Sequence, residues 1–317
     1  MKVLVTGAAG SVGRHLVRSF LLRGWDVRAL DSDVDGLARL TRPPGAGGTL
    51  DLVPARVEDR AAVHDAVAGA DLVCHLAWSF SDDPAVLLDV DLKGHVCLLE
   101  AMRQTGAGHL MYASSAVVYG APEKTPVTEG HCLRVESARK PFYAAAKIMA
   151  ENLNLAYWRQ HGLPITNIRF WWAFGDDIGG RHLREMAATA ASGIPLEAVA
   201  GAGGSFLHLD DLAHLVSLAA LNPPAYGRTF NASSLFVTWT EIAGDISEAT
   251  TLNPGIRVVP EREWRGSPFM LGRWDLSTEF ARDVLGFAPT LGEGPARAAL
   301  SAAIRNLAAS VAQERGA

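Results

Sequence analysis

Residues 1–24, MKVLVTGAAGSVGRHLVRSFLLRG, combine three features that explain one another. The apolar run at residues 2–6 predicts a buried strand, and the apolar spacing of residues 11–24 predicts an amphipathic helix. Gly7, Gly10 and Gly13 lie between them, where a Cβ atom would block a tight strand-to-helix turn. Such a turn leaves backbone N–H groups free at the helix N-terminus, where they can bind a phosphate. The stretch predicts the first unit of a nucleotide-binding sheet, and the alternative is a tight turn without a ligand.

The same alternation of strand and helix continues to about residue 170. Apolar runs predict buried strands at 2–6, 26–30, 50–55, 71–77, 109–114 and 165–170. Helical patterns between them, such as residues 143–162, indicate crossovers and hence a doubly wound parallel sheet of the Rossmann type. We expect residues 1–170 to form this α/β domain. Residues 171–317 are expected to form mainly a smaller mixed α/β lobe for the substrate, with helices near 181–192, 210–221, 238–249 and 295–313 and strands at 228–232 and 256–260.

An acidic residue, Asp31, follows the second predicted strand about twenty residues after the glycine turn. A carboxylate at this position can accept both ribose hydroxyls of an adenosine and would repel a 2′-phosphate. The alternative is a helix cap for the segment that follows. The sequence therefore favours NAD over NADP as the cofactor of residues 1–170.

Further residues are expected to contact this cofactor because they follow strands at the same edge of the sheet. Ser11 and Val12 belong to the glycine turn, and the exit of the third strand brings Val57 and Glu58 near the adenine. The fourth strand ends in HLAW, so we expect Leu76, Ala77 and Trp78 to lie beside the second ribose.

The hexapeptide FYAAAK at 142–147 places Tyr143 and Lys147 four residues apart with only alanines between them. On a helix this spacing brings both side chains to one face. The alternative is two polar residues on a solvated helix surface. The alanines leave room for a ribose to lie against the helix while the tyrosine reaches a substrate.

With these residues in view, the chain resembles the extended short-chain dehydrogenase/reductase family, also called the NAD-dependent epimerase/dehydratase family. The similar runs are TGAAGSVG (6–13) to TGxxGxxG, HLAW (75–78) to HLAA, SSAVVYG (114–120) to SSxxVYG, YAAAK (143–147) to YxxxK, FLHLDD (206–211) to (F/Y)xHVxD, and DLSTEFARDVLGFAP (275–289) to a part of the C-terminal lobe. Their order and intervals match the family, and the resemblance covers nearly the whole chain.

The resemblance implies the roles of three residues. Tyr143 would be the acid/base, Lys147 would hold the nicotinamide ribose, and Ser115 would bind the reacting oxygen. A free phenol has a pKa near ~10, and a neighbouring ammonium and an oxidised nicotinamide both favour the phenolate. The hydroxyl of Ser115 can hydrogen-bond an oxygen whose charge changes as hydride moves.

The chain departs from the family's nucleotide-sugar enzymes at several positions. Trp172 stands where they carry an Asn, and Gly204 stands where they carry an Arg that holds the sugar nucleotide's diphosphate. Arg265 matches a second diphosphate-binding Arg, but a single cation is a weak clamp for two phosphates. Asp91 replaces the Asn of the family's NVxGT run, and a carboxylate there would repel an anionic substrate.

The substrate side of the site is expected to be aromatic. Trp78, Phe80 and the pair Trp171–Trp172 would surround the nicotinamide end and suit a less charged, partly apolar substrate. The alternative is hydrophobic core beneath the lobe. The dehydratases' Asp-Glu pair after the catalytic Ser or Thr is absent, which argues against dehydration. The candidate substrate-contacting residues are Phe80, Ser115, Ala116, Val117, Trp171, Trp172 and Arg265.

Three functions are compatible with these residues. The first is net NAD-dependent oxidoreduction between a secondary alcohol and a ketone, with Tyr143 as acid/base. The second is epimerisation of a sugar or nucleotide sugar with NAD retained. The third, a cofactor-sensing protein without turnover, fits less well because a sensor does not need Ser115, Tyr143 and Lys147 together.

Composition limits partners and location. A net charge of −5 over 317 residues argues against nucleic acid and anionic membranes as partners. The sequence has no HxxxH or CxxC spacing for a metal, and its three widely spaced cysteines favour a reducing, cytoplasmic setting. The N-terminal apolar run is too short for a signal peptide or a membrane span. The family resemblance implies a homodimer through residues 96–102 and 145–158, although those apolar faces can equally cover the sheet.

Overall fold

Seven strands pair side by side in parallel to form the main sheet of the computed structural model, which describes residues 1–81 and 83–315. In spatial order the strands are β10 (Arg228–Asn231), β6 (Ile165–Arg169), β5 (His109–Ala113), β4 (Leu72–His75), β1 (Lys2–Thr6), β2 (Asp26–Asp31) and β3 (Leu50–Pro54). The register pairs Val5 of β1 with Ala29 of β2 and with Cys74 of β4, so the carboxyl ends of these strands lie at one edge. Beside β1, the chain order reverses direction across the sheet, which is where such sheets bind ligands.

Helices cover both faces of this sheet because its central strands β1, β4 and β5 bury side chains on both sides. They are α1 (Ser11–Leu22), α2 (Val34–Ala38), α3 (Arg60–Val67), α4 (Pro84–Val86), α5 (Lys93–Thr105), α6 (Pro141–His161), α8 (Leu209–Ala219) and α10 (Glu279–Leu285). A π-helical segment, Leu87–Leu92, joins α4 to α5. One face is a core that includes Leu16, Phe20 and Val216, and the other includes Leu98 and Met102.

The smaller lobe is built around β9 (Gly203–His208), which pairs with β7 (Trp172–Phe174), β11 (Leu235–Thr238) and β13 (Arg273–Trp274). A separate two-stranded sheet joins β8 (Leu196–Val199) to β12 (Ile256–Val259). Helices α7 (Arg181–Ala191), α9 (Trp239–Ala249) and α11 (Glu293–Glu314) pack around the fully buried indole of Trp239. This lobe meets the main sheet beside the carboxyl end of β6.

The expected α/β class and the six strands predicted before residue 170 are confirmed. The assignment of residues 228–232 to the lobe is wrong, because β10 extends the main sheet in parallel beside β6. Phe230 in this strand is fully buried in the core that α1 and α8 share. A four-residue strand carries no sequence signal for its partner, so its place depends on the crossover through α8. The division at residue 170 stays a prediction.

Two kinds of feature are absent from the part of the chain that the structure describes. Between residues 1 and 81 and between 83 and 315, no helix has the length and hydropathy needed to cross a membrane. The same ranges contain no group of three or more His, Cys, Asp or Glu side chains placed to bind a metal.

Candidate active site

Two adjoining cavities of about 530 and 570 Å³ follow the carboxyl edge of the main sheet. The first extends to Asp31 after β2, and the second extends to Tyr143 on α6. Both are lined by Gly7 and Gly10 of the turn and by Trp78 after β4, so they form one continuous groove. The groove crosses the sheet where the strand order reverses.

The glycine turn supports a phosphate because its shape depends on missing side chains. Gly7 has φ +70°, and a Cβ atom there would lie 2.7 Å from the backbone nitrogen of Ala77. A Cβ at Gly13 would lie 2.1 Å from the carbonyl oxygen of Gly7. Gly10 precedes the first turn of α1 and supplies no side chain to cap it. The N-terminus of α1 therefore presents backbone N–H groups to the groove, as a pyrophosphate requires.

Asp31 connects the glycine turn to the segment after β2. One carboxylate oxygen accepts a hydrogen bond from the backbone N–H of Ala9 at 2.9 Å, and the other accepts from Asp33 N–H at 2.9 Å. The N-cap of α2 is Asp33 rather than Asp31, so the capping alternative does not describe Asp31. A carboxylate has about four acceptor positions, which leaves room for two ribose hydroxyls.

Every residue predicted to contact the cofactor lines the groove. Gly7, Gly10, Asp31, Val57, Glu58, Leu76, Ala77 and Trp78 line the first cavity, and Ser11, Val12, Gly13, Tyr143 and Lys147 line the second. The residues therefore fit a dinucleotide that lies with its adenosine at Asp31 and its nicotinamide at Tyr143. Their individual roles remain predictions.

Tyr143 and Ser115 meet at the far end of the groove. Tyr143 lies in the first turn of α6 and is 8 % exposed. Ser115 follows β5, accepts a hydrogen bond from Val117 N–H at 3.2 Å and lies within hydrogen-bonding reach of the phenol. Burial raises the pKa of Tyr143 above its usual value, whereas the hydrogen bond with Ser115 lowers it. The pair is arranged to hold one substrate oxygen.

Lys147 lies one turn further along α6 and is buried. Its ammonium donates to the carbonyl of Ala113 at 2.7 Å and lies 3.8 Å from the ring centre of Trp78. Burial lowers the pKa of Lys147 to about 7, and the charges of Asp91 and Glu151 oppose that shift. The lysine therefore titrates near neutrality in the chain without a cofactor.

A buried ion pair fixes the position of this helix relative to the two strands beside it. Glu151, one turn after Lys147, accepts from Arg169 of β6 at 2.5 and 2.9 Å and from Ser114 at 2.5 Å. Arg169 also donates to the hydroxyl of Tyr119 at 3.0 Å, and both are almost fully buried. This network gives Tyr119 a structural role, and it holds the strand end that carries Ser115 against α6.

Aromatic residues form the substrate side of the second cavity. Phe80 is 61 % exposed, has φ 55° and stacks on Tyr143 with 5.5 Å between ring centres. A Cβ atom at Gly204 would lie 2.3 Å from the indole of Trp171, which occupies the volume of any side chain at that position. A Cβ atom at Gly180 would likewise lie 2.3 Å from the indole of Trp172. The indoles of Trp171 and Trp172 and the phenyl ring of Phe80 therefore form an apolar wall on this side of the cavity. At position 204 the indole leaves no room for a cationic side chain.

Three predicted substrate residues do not line this cavity. Ala116 is fully buried, and Val117 packs beside it in a small hydrophobic cluster. The guanidinium of Arg265 donates to the carbonyls of Arg262 and Trp264 within its own loop. The side chain is thus held by its local backbone, and a diphosphate role for Arg265 has no support in the structure.

The cavity also contains residues that the motifs did not indicate. They are Arg139, Lys140, Phe170, Gly180, Arg181 and His182. Arg139 and Lys140 directly precede the helix of Tyr143, so their proximity was visible in the sequence. Arg181 and His182 begin α7, and no spacing in the sequence connects that helix to the site. Arg139, Lys140 and Arg181 bring cationic side chains to the lining of this cavity.

Comparison with a family profile extends over most of the chain. The profile of the "NAD dependent epimerase/dehydratase family" matches residues 3–233. This range contains the glycine turn and the residues Ser115, Tyr143 and Lys147. The match confirms the resemblance that the sequence motifs indicated.

Individual relatives carry several activities. A probable UDP-glucuronate 4-epimerase of Rhizobium meliloti is 29 % identical over 71 % of this chain and 70 % of the relative. A dihydroflavonol 4-reductase of Zea mays is 29 % identical over 71 % of this chain and 68 % of the relative. The structure of UDP-glucose 4-epimerase from Thermus thermophilus in complex with NAD has a TM-score of 0.75 and 27 % identity, covering 96 % of this chain and 99 % of its own.

Proposed function

The chain belongs to the NAD-dependent epimerase/dehydratase family, and from this premise we propose that it interconverts a secondary alcohol and a ketone by net oxidoreduction. Membership makes it an enzyme of the short-chain dehydrogenase/reductase superfamily, and NAD is the cofactor of that family. The observation that carries the proposal is the convergence of Ser115, Tyr143 and Lys147 at one end of the groove that begins at Asp31.

We assign one part of the cofactor to each of three places along the groove. The N-terminus of α1 would hold the pyrophosphate, Asp31 the adenosine ribose, and Lys147 the second ribose. When bound, NAD supplies the hydride acceptor of the oxidation and, in its reduced form, the hydride donor of the reverse reaction. The protein has to orient the substrate and to move one proton.

Tyr143 is the residue that moves this proton. In the oxidation, the phenolate of Tyr143 takes the hydroxyl proton of the substrate, and in the reduction the phenol returns it to the carbonyl oxygen. Ser115 hydrogen-bonds the same oxygen as its charge changes. The ammonium of Lys147 stabilises the phenolate at a distance, since its nitrogen lies 5.7 Å from the ring centre of Tyr143.

The substrate class follows from the wall of the second cavity. Because the indole of Trp171 occupies the space beside Gly204, no side chain at position 204 can hold a diphosphate. Arg265, the other candidate cation, is turned into its own loop. We infer a partly apolar substrate, with its reacting carbon at Tyr143 and its apolar part between Phe80 and the two tryptophans.

Epimerisation of a sugar nucleotide is the second candidate. Two of the relatives described above are 4-epimerases of UDP sugars by name. Arg139 and Arg181 also line the second cavity and provide positive charge there. Epimerisation requires that the substrate is oxidised, that the ketone turns to present its opposite face, and that it is reduced again on the same NAD, and the same three residues can support both proton transfers.

One assay separates these two candidates. The purified protein is tested for bound nucleotide and then mixed with NAD and panels of secondary alcohols, including UDP-glucose and aryl carbinols. Oxidoreduction predicts exchangeable NAD and one NADH, seen by its absorbance, for each alcohol consumed. Retained NAD and a change of sugar configuration without NADH release would instead establish epimerisation.

The Tyr143→Phe variant is the control for the site itself. It removes the acid/base, so we expect turnover to fall by at least about 10²-fold. NAD affinity should stay close to that of the unmodified protein, because the ring and its packing are kept. Turnover of Tyr143→Phe that stays near normal would refute the assignment. NAD binding by the unmodified chain without turnover of any substrate would instead favour a sensing role.

We also propose that two copies of the chain associate and that the protein works in a reducing compartment. Phe142, Met149 and Leu155 on α6 are 55 %, 51 % and 39 % exposed, which supports pairing of two copies through this helix. Cys74, Cys97 and Cys132 are all free thiols, which supports a reducing compartment such as the cytoplasm.

A further inference from the structure

Asp91 is a buried carboxylate beside the reacting groups, and the reaction proposed above does not use it. It lies in the π-helical segment between α4 and α5 and is 2 % exposed. Ser79 donates to both of its oxygens, from the backbone N–H and from the hydroxyl, each at 2.7 Å. Within residues 1–81 and 83–315 it has no ion-pair partner within 4.0 Å, so its charge acts over a longer distance.

The groups that feel this charge are the two titrating residues of the site. The π-helical segment packs against α6, with Leu87, Leu92 and Ala146 in one small cluster that also includes Trp78. The indole of Trp78 contacts the ammonium of Lys147, and the next residue, Ser79, binds Asp91. Burial lowers the pKa of Lys147 and raises the pKa of Tyr143; the negative charge of Asp91 opposes the first shift and adds to the second.

The other charged and titratable groups around Lys147 are already engaged or are expected to be neutral. Glu151 on α6 is neutralised by Arg169. Burial lowers the pKa of His75 on β4 and brings the pKa of His95 on α5 to about 4, so both rings are neutral near pH 7. Burial also raises the pKa of Tyr112 on β5, which keeps that phenol neutral.

Glu58, after β3, is the remaining acid that acts on Asp91. It pairs with Arg56 at 2.6 Å, which compensates its charge. Asp91 is therefore the carboxylate near Lys147 that lacks a cation of its own. Burial raises the pKa of Asp91, while Ser79 and Lys147 lower it, so the carboxylate and the ammonium stabilise one another.

We propose that Asp91 is a positioning residue that holds Lys147 as the ammonium ion and adds to the burial that keeps Tyr143 a neutral phenol, and so favours ketone reduction. Reduction needs a proton on Tyr143 to give to the carbonyl oxygen as reduced NAD supplies the hydride, and solvent replaces that proton afterwards. The family motif carries a neutral Asn at this position. The proposal rests on the function proposed above, because it assigns a direction to the same site.

The test measures the titration of Lys147 directly, without substrate or cofactor. The full chain, labelled with ¹³C-lysine, is titrated by NMR, and the Lys147 signal is assigned with Lys147→Arg. Asp91→Asn keeps the shape and one acceptor oxygen for the backbone N–H of Ser79, while its amide nitrogen can donate to the Ser79 hydroxyl oxygen, and the charge is removed. We expect its Lys147 midpoint to fall by about 1 pH unit from that of the unmodified chain, in accord with the effect of a nearby opposite charge.

Asp89→Asn is the matched control. Asp89 lies in the same π-helical segment but is exposed, so this variant loses the same charge from the same segment. Its Lys147 midpoint should not move. Ser79→Ala keeps the carboxylate but removes one of its donors, and it should lower the midpoint by a smaller amount. It also provides a second measurement if Asp91→Asn does not fold.

A second readout uses the loaded enzyme. With NADH and a ketone found in the panel, the reductive kcat of Asp91→Asn should decline at a lower pH than that of the unmodified enzyme, with KM little changed. An unchanged or higher Lys147 midpoint in Asp91→Asn would overturn the proposal. That outcome leaves the proposed function intact, since the latter depends on the loss of turnover in Tyr143→Phe.

Discussion

Replacing Asp31 by Ala tests how the groove chooses its cofactor. The structure gives this carboxylate two backbone donors, Ala9 N–H and Asp33 N–H, both at 2.9 Å, and leaves two acceptor positions toward the first cavity. If these positions accept the two ribose hydroxyls of NAD, Asp31→Ala loses two hydrogen bonds to a charged group. Such bonds contribute about 1.5–3 kcal/mol each.

Partial exposure of Asp31 places the expected loss at the lower end of that range. Two bonds of about 1.5 kcal/mol give about 3 kcal/mol, which corresponds to a rise in the Kd of NAD on the order of 100-fold. NADP should lose less, because the same change removes a negative charge that repels its 2′-phosphate. The preference for NAD over NADP should therefore shrink by at least about tenfold.

Isothermal titration of both cofactors measures this ratio. Asp35→Ala is the control, because Asp35 is an exposed acid in the first turn of α2 and lines neither cavity. Its affinities should equal those of the unmodified chain. An unchanged ratio in Asp31→Ala would refute the ribose assignment. Equal weakening of NAD and NADP would also refute it, since Asp31 would then only brace the glycine turn.

Two further changes test the support of the site and its association. Glu151→Gln leaves the buried Arg169 without its carboxylate, and we expect the free energy of unfolding in urea to fall by about 3–5 kcal/mol. Glu248→Gln, which breaks an exposed pair with Arg305, should cost less than about 1 kcal/mol, and equal losses would contradict the role of the buried pair. Met149→Lys places a charge on the exposed face of α6 and should convert dimers to monomers in sedimentation while NAD affinity is kept. An unmodified chain that already sediments as a monomer would exclude the dimer.

Local sequence patterns predicted the first half of the fold well. The strands at residues 2–6 and 165–170 are apolar runs bounded by turn residues, and their order in the chain implies the crossovers between them. The residues of the short strand β10 are expected in the lobe, but they pair with β6 in the main sheet. This pairing depends on α8, which packs against α1 through apolar residues far apart in sequence. The spacing of apolar residues shows which face of a helix or strand is buried, but it does not show which other element packs against that face.

The candidate site likewise combines residues that the sequence predicted with contacts that it did not predict. Motif residues such as Gly7, Tyr143 and Lys147 have a fixed spacing because the turn or helix that carries them has a fixed geometry, and the structure places all of them on the groove. The sequence did not predict that the indole of Trp171 fills the space that a side chain at position 204 would need. A tryptophan after β6 and a glycine at the start of β9 meet only because β7 and β9 pair in the lobe.

Arg265 illustrates the opposite error. Its position in the family motif suggested a diphosphate contact, but its guanidinium is held by the carbonyls of Arg262 and Trp264. A charged side chain with backbone acceptors close in sequence can satisfy its donors locally. The motif alone contains no information about that competition.

The central claim is that one dinucleotide lies along the groove with its nicotinamide beside Tyr143, and a crystal structure of the chain with NAD tests it most directly. The account predicts the adenosine ribose on Asp31, the pyrophosphate at the N-terminus of α1, and the second ribose on Lys147. It also predicts the phenol of Tyr143 and the hydroxyl of Ser115 facing the open side of the pyridine ring. A phenol turned away from that ring, or NAD bound outside the groove, would contradict it.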